Sequence, residues 1–471
     1  DVSFSDIRAA QSWIKSNTSD KDCLVVLDDV WSAEDVAVFD HLSENCQLLI
    51  TTRDVDVVRG SRGFVYELDV MKPDESRALF YHSMGIKTDE LSNFSPKMQD
   101  IVEKLLIQCR GLPLALSLVG SNLQPPRSEQ AWNDILDKFT TDLEKLRSIF
   151  PPVEYPYDNI ISAIKVSFEH LKECQQEKFL DFALFPEDTS IPSDILELFW
   201  SSEGAGRTSC SPRKARRILD TLERKSMIQK VPDLQEKTSY RVHDLLLDFA
   251  RKKLKATGTL TDVQRLFVKT LRSQCLNGEW NTTSTSNQKD YYFKYLPYHI
   301  YSSEQQSELL QLFFDLHWLE QKAKHINIPS VVSDFRFLST LSNEVELLKS
   351  SLMLSAYAIE NNPDSIFPQL LGRLLSYEEE YPRVKTLIKQ LQEAGTKTCH
   401  LLPLSSCLDL GGPEISRKIL HSEVLSLATR KSSTGTVVIC GLANGSIIIF
   451  DLETGEEVQQ LLGHRDRVRR L

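Results

Sequence analysis

CLVVLDDV at residues 23–30, followed by Trp31, is the stretch from which the rest of the chain is read. Five mostly apolar residues, Cys23 to Leu27, run unbroken into two carboxylates, Asp28 and Asp29. A continuous aliphatic run of that length suits a strand buried on both faces of a parallel sheet. The aspartates then fall at the carboxyl edge, where open α/β folds bind ligands. A carboxylate pair there is what a phosphate-handling site uses to hold magnesium. A core strand running into an Asp-rich turn has the same pattern, so the stretch by itself leaves both readings open.

Working outward, residues 7–16 carry Ile7, Trp13 and Ile14 at helix-like spacing. Residues 34–42 read as an amphipathic helix through Val36, Val38, Phe39 and Leu42. A second apolar strand at 47–50 ends in Thr51-Thr52-Arg53-Asp54, and a third strand is expected at 64–68. Strand, helix, strand, short helix, strand is the rhythm of a parallel α/β sheet. Arg53, again at a strand's carboxyl end, can face the same crevice as Asp28 and neutralise a terminal phosphate. On spacing alone, a surface arginine in a turn is the plainer reading.

The chain of 471 residues has room for about three or four domains. With 41% hydrophobic and 26% charged residues its composition is that of a globular protein, and its net charge of −11 gives no bulk support for nucleic-acid binding. The nine cysteines include no C-x-x-C pair, which argues against a zinc site or disulfide framework and for a reducing compartment. No apolar run approaches the roughly 18 residues of a membrane helix, and no signal peptide is visible. A cytoplasmic location without a membrane partner is expected.

From Pro73 the pattern turns helical, with Asp74 and Glu75 favourable in the first turn. A helix at 101–109 stops at Gly111, and GLPLAL at 111–116 begins the next, with Pro113 just inside its start. That corner can also press the Pro113 ring against a flat base. Residues 151–157 look like a linker. Helical runs at 160–171, 177–185, 195–200 and 213–225, then short strands at 227–231 and 240–242, suggest a winged helix. Arg213, Lys214, Arg216 and Arg217 on one of its helices would touch phosphates in a DNA-binding relative. A solvated helix face is the commoner reason for such a cluster. His243 sits at a strand-to-helix junction, as an anion donor or as a cap.

Residues 256–398 are nearly all helical, with Leu309, Leu312, Phe313, Leu316 and Leu319 on one expected face. Beyond Pro403, runs at 424–429, 436–440 and 446–450 read as strands, with Ala443-Asn444-Gly445 as a hairpin turn. Phe450-Asp451 followed by Gly463-His464 matches WD-repeat grammar, with Phe for the usual Trp. Residues 420–471 have room for one blade of about 40–45 residues, and a propeller needs at least about four.

Five ordered segments, LVVLDDVW at 24–31, LLITTRD at 48–54, GLPLAL at 111–116, FALFPED at 182–188 and RVHDLLLDFA at 241–250, carry a resemblance. The chain resembles the NB-ARC family of STAND ATPases, and its helical arm and WD blade are more similar to the apoptotic branch than to leucine-rich-repeat resistance proteins. The resemblance implies ADP or ATP as ligand, with Mg2+. It implies that Asp28 holds magnesium through water, that Asp29 is the acidic neighbour near the attacking water, and that Arg53 faces the γ-phosphate. Pro113 would pack on adenine, and His243 would contact the ADP β-phosphate. Val242 replaces the usual Met of the Met-His-Asp triad. No G-x-x-x-x-G-K-[ST] is present, so the phosphate cradle is missing. This is read as truncation, leaving the chain as given inactive and any ATPase activity to its parent.

The implied fold is multidomain, α/β plus α plus β. It places the last part of a P-loop NTPase domain at 1–72, a helical subdomain at 73–150, a winged helix at 151–255, a helical arm at 256–402 and the first WD blade of a propeller at 403–471. The implied function is a nucleotide-gated switch. ADP locks it closed, exchange opens it for self-oligomerisation in cell-death or immune signalling, and the propeller senses a protein ligand. The alternatives are a transcription regulator using the winged helix on DNA and a nucleotide-free scaffold.

Overall fold

The computed structural model describes residues 21–39, 45–58, 63–124, 128–149, 158–204, 207–232, 238–275, 289–340, 342–395, 402–408, 424–432, 435–451, 457–464 and 466–469, with Gln11, Ile14, Lys15, Thr18, Leu42 and Trp280 besides. Ile7, Trp13 and the expected linker at 151–157 lie outside the described residues. The chain divides into two compact units, one of Asp1–Gly63, Asn343–Leu354 and Cys407–Leu471, the other of Phe64–Ser342 and Ser355–Ser406.

In the first unit, β1 (Leu24–Leu27) and β2 (Gln47–Ile50) pair in parallel, from Leu24 opposite Gln47 to Leu27 opposite Ile50. Between them, α1 (Ala33–Ala37) opens where Ser32 Oγ accepts from Glu34 N at 3.1 Å. It is shorter than the expected 34–42. The helix is capped at Val38, so Leu42 lies past its end. The third strand expected at 64–68, in the other unit, is absent. Phe64, Tyr66 and Leu68 are 91%, 76% and 89% exposed, and no strand hydrogen-bonds to this segment among the described residues. Alternating apolar residues satisfy the strand pattern, but a strand also requires a neighbouring ladder.

The same unit holds an antiparallel sheet of β6 (Val424–Ser432), β7 (Gly435–Leu442), β8 (Ile447–Asp451) and β9 (Glu457–Leu461), in that order. The three expected strands form, and β9 adds a fourth over residues not expected to make one. Cys440, Leu442, Ile448 and Phe450 make its core, with Val438 packed on it. The β7–β8 turn uses Gly445 at φ 83°, the left-handed region in which glycine is unstrained. Asn444 Oδ1 accepts from Ser446 N at 3.0 Å and holds the turn.

The second unit opens with α2 (Pro73–Met84), α3 (Pro96–Cys109), α4 (Pro113–Asn122), α5 (Glu129–Ile149) and α6 (Asp158–Glu169). Phe80, Met84, Leu105, Leu116, Trp132 and Phe139 are fully buried among them. The α3–α4 corner is built by two left-handed residues, Arg110 (φ 51°) and Gly111 (φ 70°). Met71 N donates to Gly111 O at 3.0 Å, and a Cβ on Gly111 would stand 2.6 Å from Met71 O.

Next come α7 (Glu173–Leu180), β3 (Ile191–Pro192), α8 (Ser193–Ser201), α9 (Pro212–Arg224), β4 (Gln229–Pro232), β5 (Thr238–Arg241) and α10 (Asp244–Ala256). The strands form a small antiparallel sheet in the order β3-β5-β4. α9 buries Ala215, Ile218, Leu219 and Leu222 and turns Arg213, Lys214, Arg216 and Arg217 outward. Arg216 is held by Glu197 at 2.7 Å.

The helical run continues through α11 (Leu260–Ser273), α12 (Lys289–Ser302), α13 (Gln306–Phe313), α14 (Leu316–His325), α15 (Ile328–Ser333), α16 (Asn343–Asn361), α17 (Ile366–Leu374) and α18 (Pro382–Gly395). The apolar residues 309–319 therefore belong to two helices. Asp315 breaks the run by capping α14, its Oδ1 accepting from His317 N at 2.9 Å and Trp318 N at 3.3 Å. All five leucine and phenylalanine side chains are buried nonetheless.

Candidate functional site

The two parallel strands end side by side, which brings the residues just beyond them together. Thr51, after β2, is the joint. Its hydroxyl donates to Asp28 Oδ1 and accepts from Asp29 N at 2.8 Å. Val30 N donates to Thr51 O at 2.9 Å, and Thr52 Oγ1 donates to Val30 O at 2.7 Å. These bonds hold Asp29 at φ 52°, a backbone region that costs a non-glycine residue about 1–2 kcal/mol. Asp29 Oδ1 lies 3.3 Å from Arg53 Nε, and its Oδ2 accepts from Trp31 Nε1 at 3.1 Å. The Arg53 guanidinium also lies over the Trp31 ring, 5.4 Å from its centre. Both members of the ion pair are half exposed, so their attraction contributes at most about 1 kcal/mol.

The two aspartates are therefore not equivalent. Asp29 is engaged by a cation and an indole, whereas Asp28 has one oxygen committed to a neutral hydroxyl. Magnesium takes one or two carboxylates and completes its shell with waters and phosphate oxygens. Asp28 fits that role. Among the described residues no group of three His, Cys, Asp or Glu side chains forms a protein cage for a metal.

Pro113 and His243 lie in the second unit and line one cleft of about 450 Å³. Pro113, Leu114 and Ser117 come from the start of α4, Glu223 from α9, Lys230 from β4, and His243 from the junction before α10. Two bonds fix α4 to the α9 end: Lys225 Nζ donates to Asn122 Oδ1 at 2.7 Å, and Gln124 Nε2 donates to Arg224 O at 3.3 Å. Pro113 occupies the first helical position, as expected. His243 caps α10, its Nδ1 accepting from Leu245 N at 3.2 Å. That bond fixes the ring orientation and leaves Nδ1 as the unprotonated nitrogen in this geometry. Pro113, Leu114 and Ile228 give the cleft apolar surface, and Ser117, Lys230 and His243 give it polar groups that can meet a small organic ligand, with Glu223 an opposing negative charge.

The five expected residues thus form two groups, Asp28, Asp29 and Arg53 at the strand ends and Pro113 and His243 in the cleft. Sequence reading missed Thr51 and Trp31, which tie the first group, and Ser117, Glu223 and Lys230, which line the second. Thr51 was signalled by its place after β2, opposite Asp28. Trp31 was signalled by its place two residues after Asp29, whereas Ser117, Glu223 and Lys230 come together only through tertiary packing.

Residues 4–90 match the NB-ARC domain, and residues 260–362 match the APAF-1 helical domain. It is similar to apoptotic protease-activating factor 1 of Danio rerio, 23% identical over 450 residues, which cover 93% of this chain and 33% of the relative. The Homo sapiens counterpart is 24% identical over 450 residues, covering 92% and 33%. Disease resistance protein UNI of Arabidopsis thaliana is 28% identical over 264 residues, covering 50% of this chain and 28% of that protein. The chain spans about a third of the length of the apoptotic relatives it matches. Among the described residues no helix is long and apolar enough to cross a membrane.

Proposed function

We propose that the chain is part of a nucleotide-gated signalling switch that uses ADP and ATP with Mg2+. The observation that carries this reading is the strand-end cluster, in which Thr51 joins Asp28 to Asp29 and Asp29 holds Arg53. Similarity to apoptotic protease-activating factor 1 and to plant disease resistance proteins supports a role in cell death or defence. In this reading Asp28 holds magnesium through water, Asp29 positions the attacking water, and Arg53 senses the terminal phosphate. Pro113 packs on the base and His243 donates to the β-phosphate. Magnesium, when bound, neutralises phosphate charge.

The finer map follows the same reading. The small sheet with α7–α10 is a winged helix, the helices from α11 on form an arm, and β6–β9 are one WD blade of a sensor. ADP favours a closed state, and exchange for ATP favours an open, self-associating one. Turnover is incidental, because a ligand moves such an equilibrium only by its differential affinity for the two states.

The test is calorimetry on the natural polypeptide that carries this chain. Asp28→Ala is expected to weaken ATP–Mg at least tenfold more than ADP. Equal losses for both nucleotides would remove the metal role of Asp28, and no binding by the unsubstituted protein would remove the reading itself.

A further inference from the structure

Two cysteines flank the strand pair at the end opposite the aspartates. Cys23 immediately precedes β1 and Cys46 immediately precedes β2. Leu24 pairs with Gln47 in parallel register, and Gln47 N donates to Cys23 O at 2.8 Å, so the same register continues back to Cys23 opposite Cys46. Residues opposite one another on parallel strands point to the same face. Neighbouring strands lie about 4.8 Å apart, within the roughly 4.4–6.8 Å separation of Cα atoms that a disulfide spans. Both residues are partly exposed. Cys46 Sγ lies 3.7 Å from Lys21 O and 3.9 Å from Thr18 O.

We propose that Cys23 and Cys46 form a reversible cross-strand disulfide that staples β1 to β2 under oxidising conditions. The inference does not depend on nucleotide binding. In a reducing compartment the pair is a dithiol. With glutathione disulfide as oxidant, one cysteine thiolate attacks it, forms a mixed disulfide and releases one glutathione. The second cysteine then displaces the other glutathione. One protein S–S bond forms, two protein S–H bonds are lost, and glutathione disulfide is reduced to two thiols.

The surroundings set the rate. Burial pushes the Cys23 thiol up, and the hydrogen bond and charge of Cys46 push it the same way, with Asp22 reinforcing and Lys21 opposing. The thiolate is the attacking species, so oxidation is slow at neutral pH and accelerates as pH rises. The link closes around Asp28, Asp29 and α1 and leaves Cys23 separated from Asp28 by the whole of β1.

The experiment incubates the whole chain in glutathione buffers from reduced to oxidised, then quenches with acid and alkylating agent, digests it and maps peptides by mass. The expected result is a linked Cys23–Cys46 peptide that accumulates with glutathione disulfide, forms faster at pH 8.5 than at pH 7, both about these set values, and disappears with dithiothreitol. Cys46→Ser should abolish it and leave Cys23 as a glutathione adduct. Cys23→Ser should do the reciprocal, which keeps the test intact if one variant fails to fold. Recovery of Cys23 and Cys46 from the unsubstituted chain as separate adducts or alkylated thiols, while other cysteines oxidise, would overturn the proposal.

Discussion

His299 offers a prediction in which the sign and size both follow from its surroundings. It is fully buried on α12, edge-on to Phe267 and Phe185. Gln264 Nε2 on α11 donates to His299 Nδ1 at 2.7 Å, so the neutral ring carries its hydrogen on Nε2, facing Tyr291 Oη at 2.8 Å. Burial lowers its pKa from 6.5 to about 3. The unfolded chain binds this proton near pH 6.5 and the folded one does not until near pH 3. The stability His299 contributes is therefore full above pH 6.5 and is lost as pH falls through that window. At about 1.4 kcal/mol per pH unit the full loss is about 5 kcal/mol, and about 2 kcal/mol is gone by pH 5. Asp181 and Asp334 act oppositely. Burial raises each to about 6, so their contributions are larger in acid and fall as pH rises through about 4 to 6. Comparing native protein with His299→Phe cancels them. At pH 7 the variant removes the imidazole partner of Tyr291 and leaves Gln264 Nε2 only the main-chain oxygen of residue 299 at 3.5 Å, at about 1–3 kcal/mol for each lost bond. That gap should narrow by about 2 kcal/mol at pH 5. Amide exchange of α11 and α12, corrected for intrinsic rates, reads the local opening energy without assuming two-state unfolding of a multidomain chain. A gap that is independent of pH, or that widens in acid, would refute the reasoning.

Three further outcomes are expected. Lys322 and Asp334 form a buried ion pair in which burial depresses the lysine and raises the aspartate; Lys322→Met alone should cost about 3–5 kcal/mol, while Lys322→Met with Asp334→Leu should recover most of it, and additive losses in α14–α15 exchange would contradict this. Gly111→Ala should destabilise the α3–α4 corner by about 1–3 kcal/mol, because its Cβ would meet Met71 O at 2.6 Å from a left-handed backbone; unchanged α3 and α4 exchange would count against it. Thr51→Val removes the donor to Asp28 and the acceptor for Asp29 N at an exposed site, so calorimetry should find ATP–Mg weakened about threefold to tenfold, with ADP less affected, while the melting temperature barely moves; equal affinities would dismiss Thr51 as the joint.

The elements that could be read from the sequence were those whose local pattern and tertiary surroundings agree. Leu24–Leu27 and Gln47–Ile50 are apolar runs that end at polar residues, and they form the expected parallel pair, but Leu24, Val26 and Leu49 are exposed, so the strands are not buried on both faces, contrary to expectation. Residues 424–450 alternate and carry Asn444-Gly445, and they form the expected strands. Elsewhere the pattern was ambiguous by its nature. Phe64, Tyr66 and Leu68 alternate like a strand, but pairing is a non-local property that alternation cannot supply. Leu309 to Leu319 keep helical spacing across a break, because Asp315 caps a new helix that returns its leucines to the core. The candidate site divides the same way. The placing of Asp28 and Arg53 at neighbouring strand ends could be read from the sequence, although a surface turn was the plainer reading of Arg53 on spacing. A cap or half-buried residue is the commoner reading of a lone histidine, and His243 is a cap, whereas Lys230 and Glu223 in the cleft were not foreseen, since α4, α9 and β4 meet only in the folded unit. Cys23 and Cys46 become neighbours solely through the strand register.

In the proposed switch His243 helps hold ADP. His243→Ala would also remove the α10 cap, a loss of about 0.5–2 kcal/mol, so His243→Asn is the cleaner perturbation because it keeps a capping oxygen and removes the imidazole. A charge-assisted hydrogen bond of roughly 1.5–3 kcal/mol corresponds to about tenfold to more than a hundredfold in affinity. The decisive measurement is ADP retention by the natural polypeptide that carries this chain, read together with its size-exclusion profile. His243→Asn is expected to release ADP at least tenfold more readily and to shift the protein toward a larger assembly, with an unchanged melting temperature in the absence of nucleotide. A variant that keeps ADP as tightly as the parent and remains monomeric would contradict that role for His243.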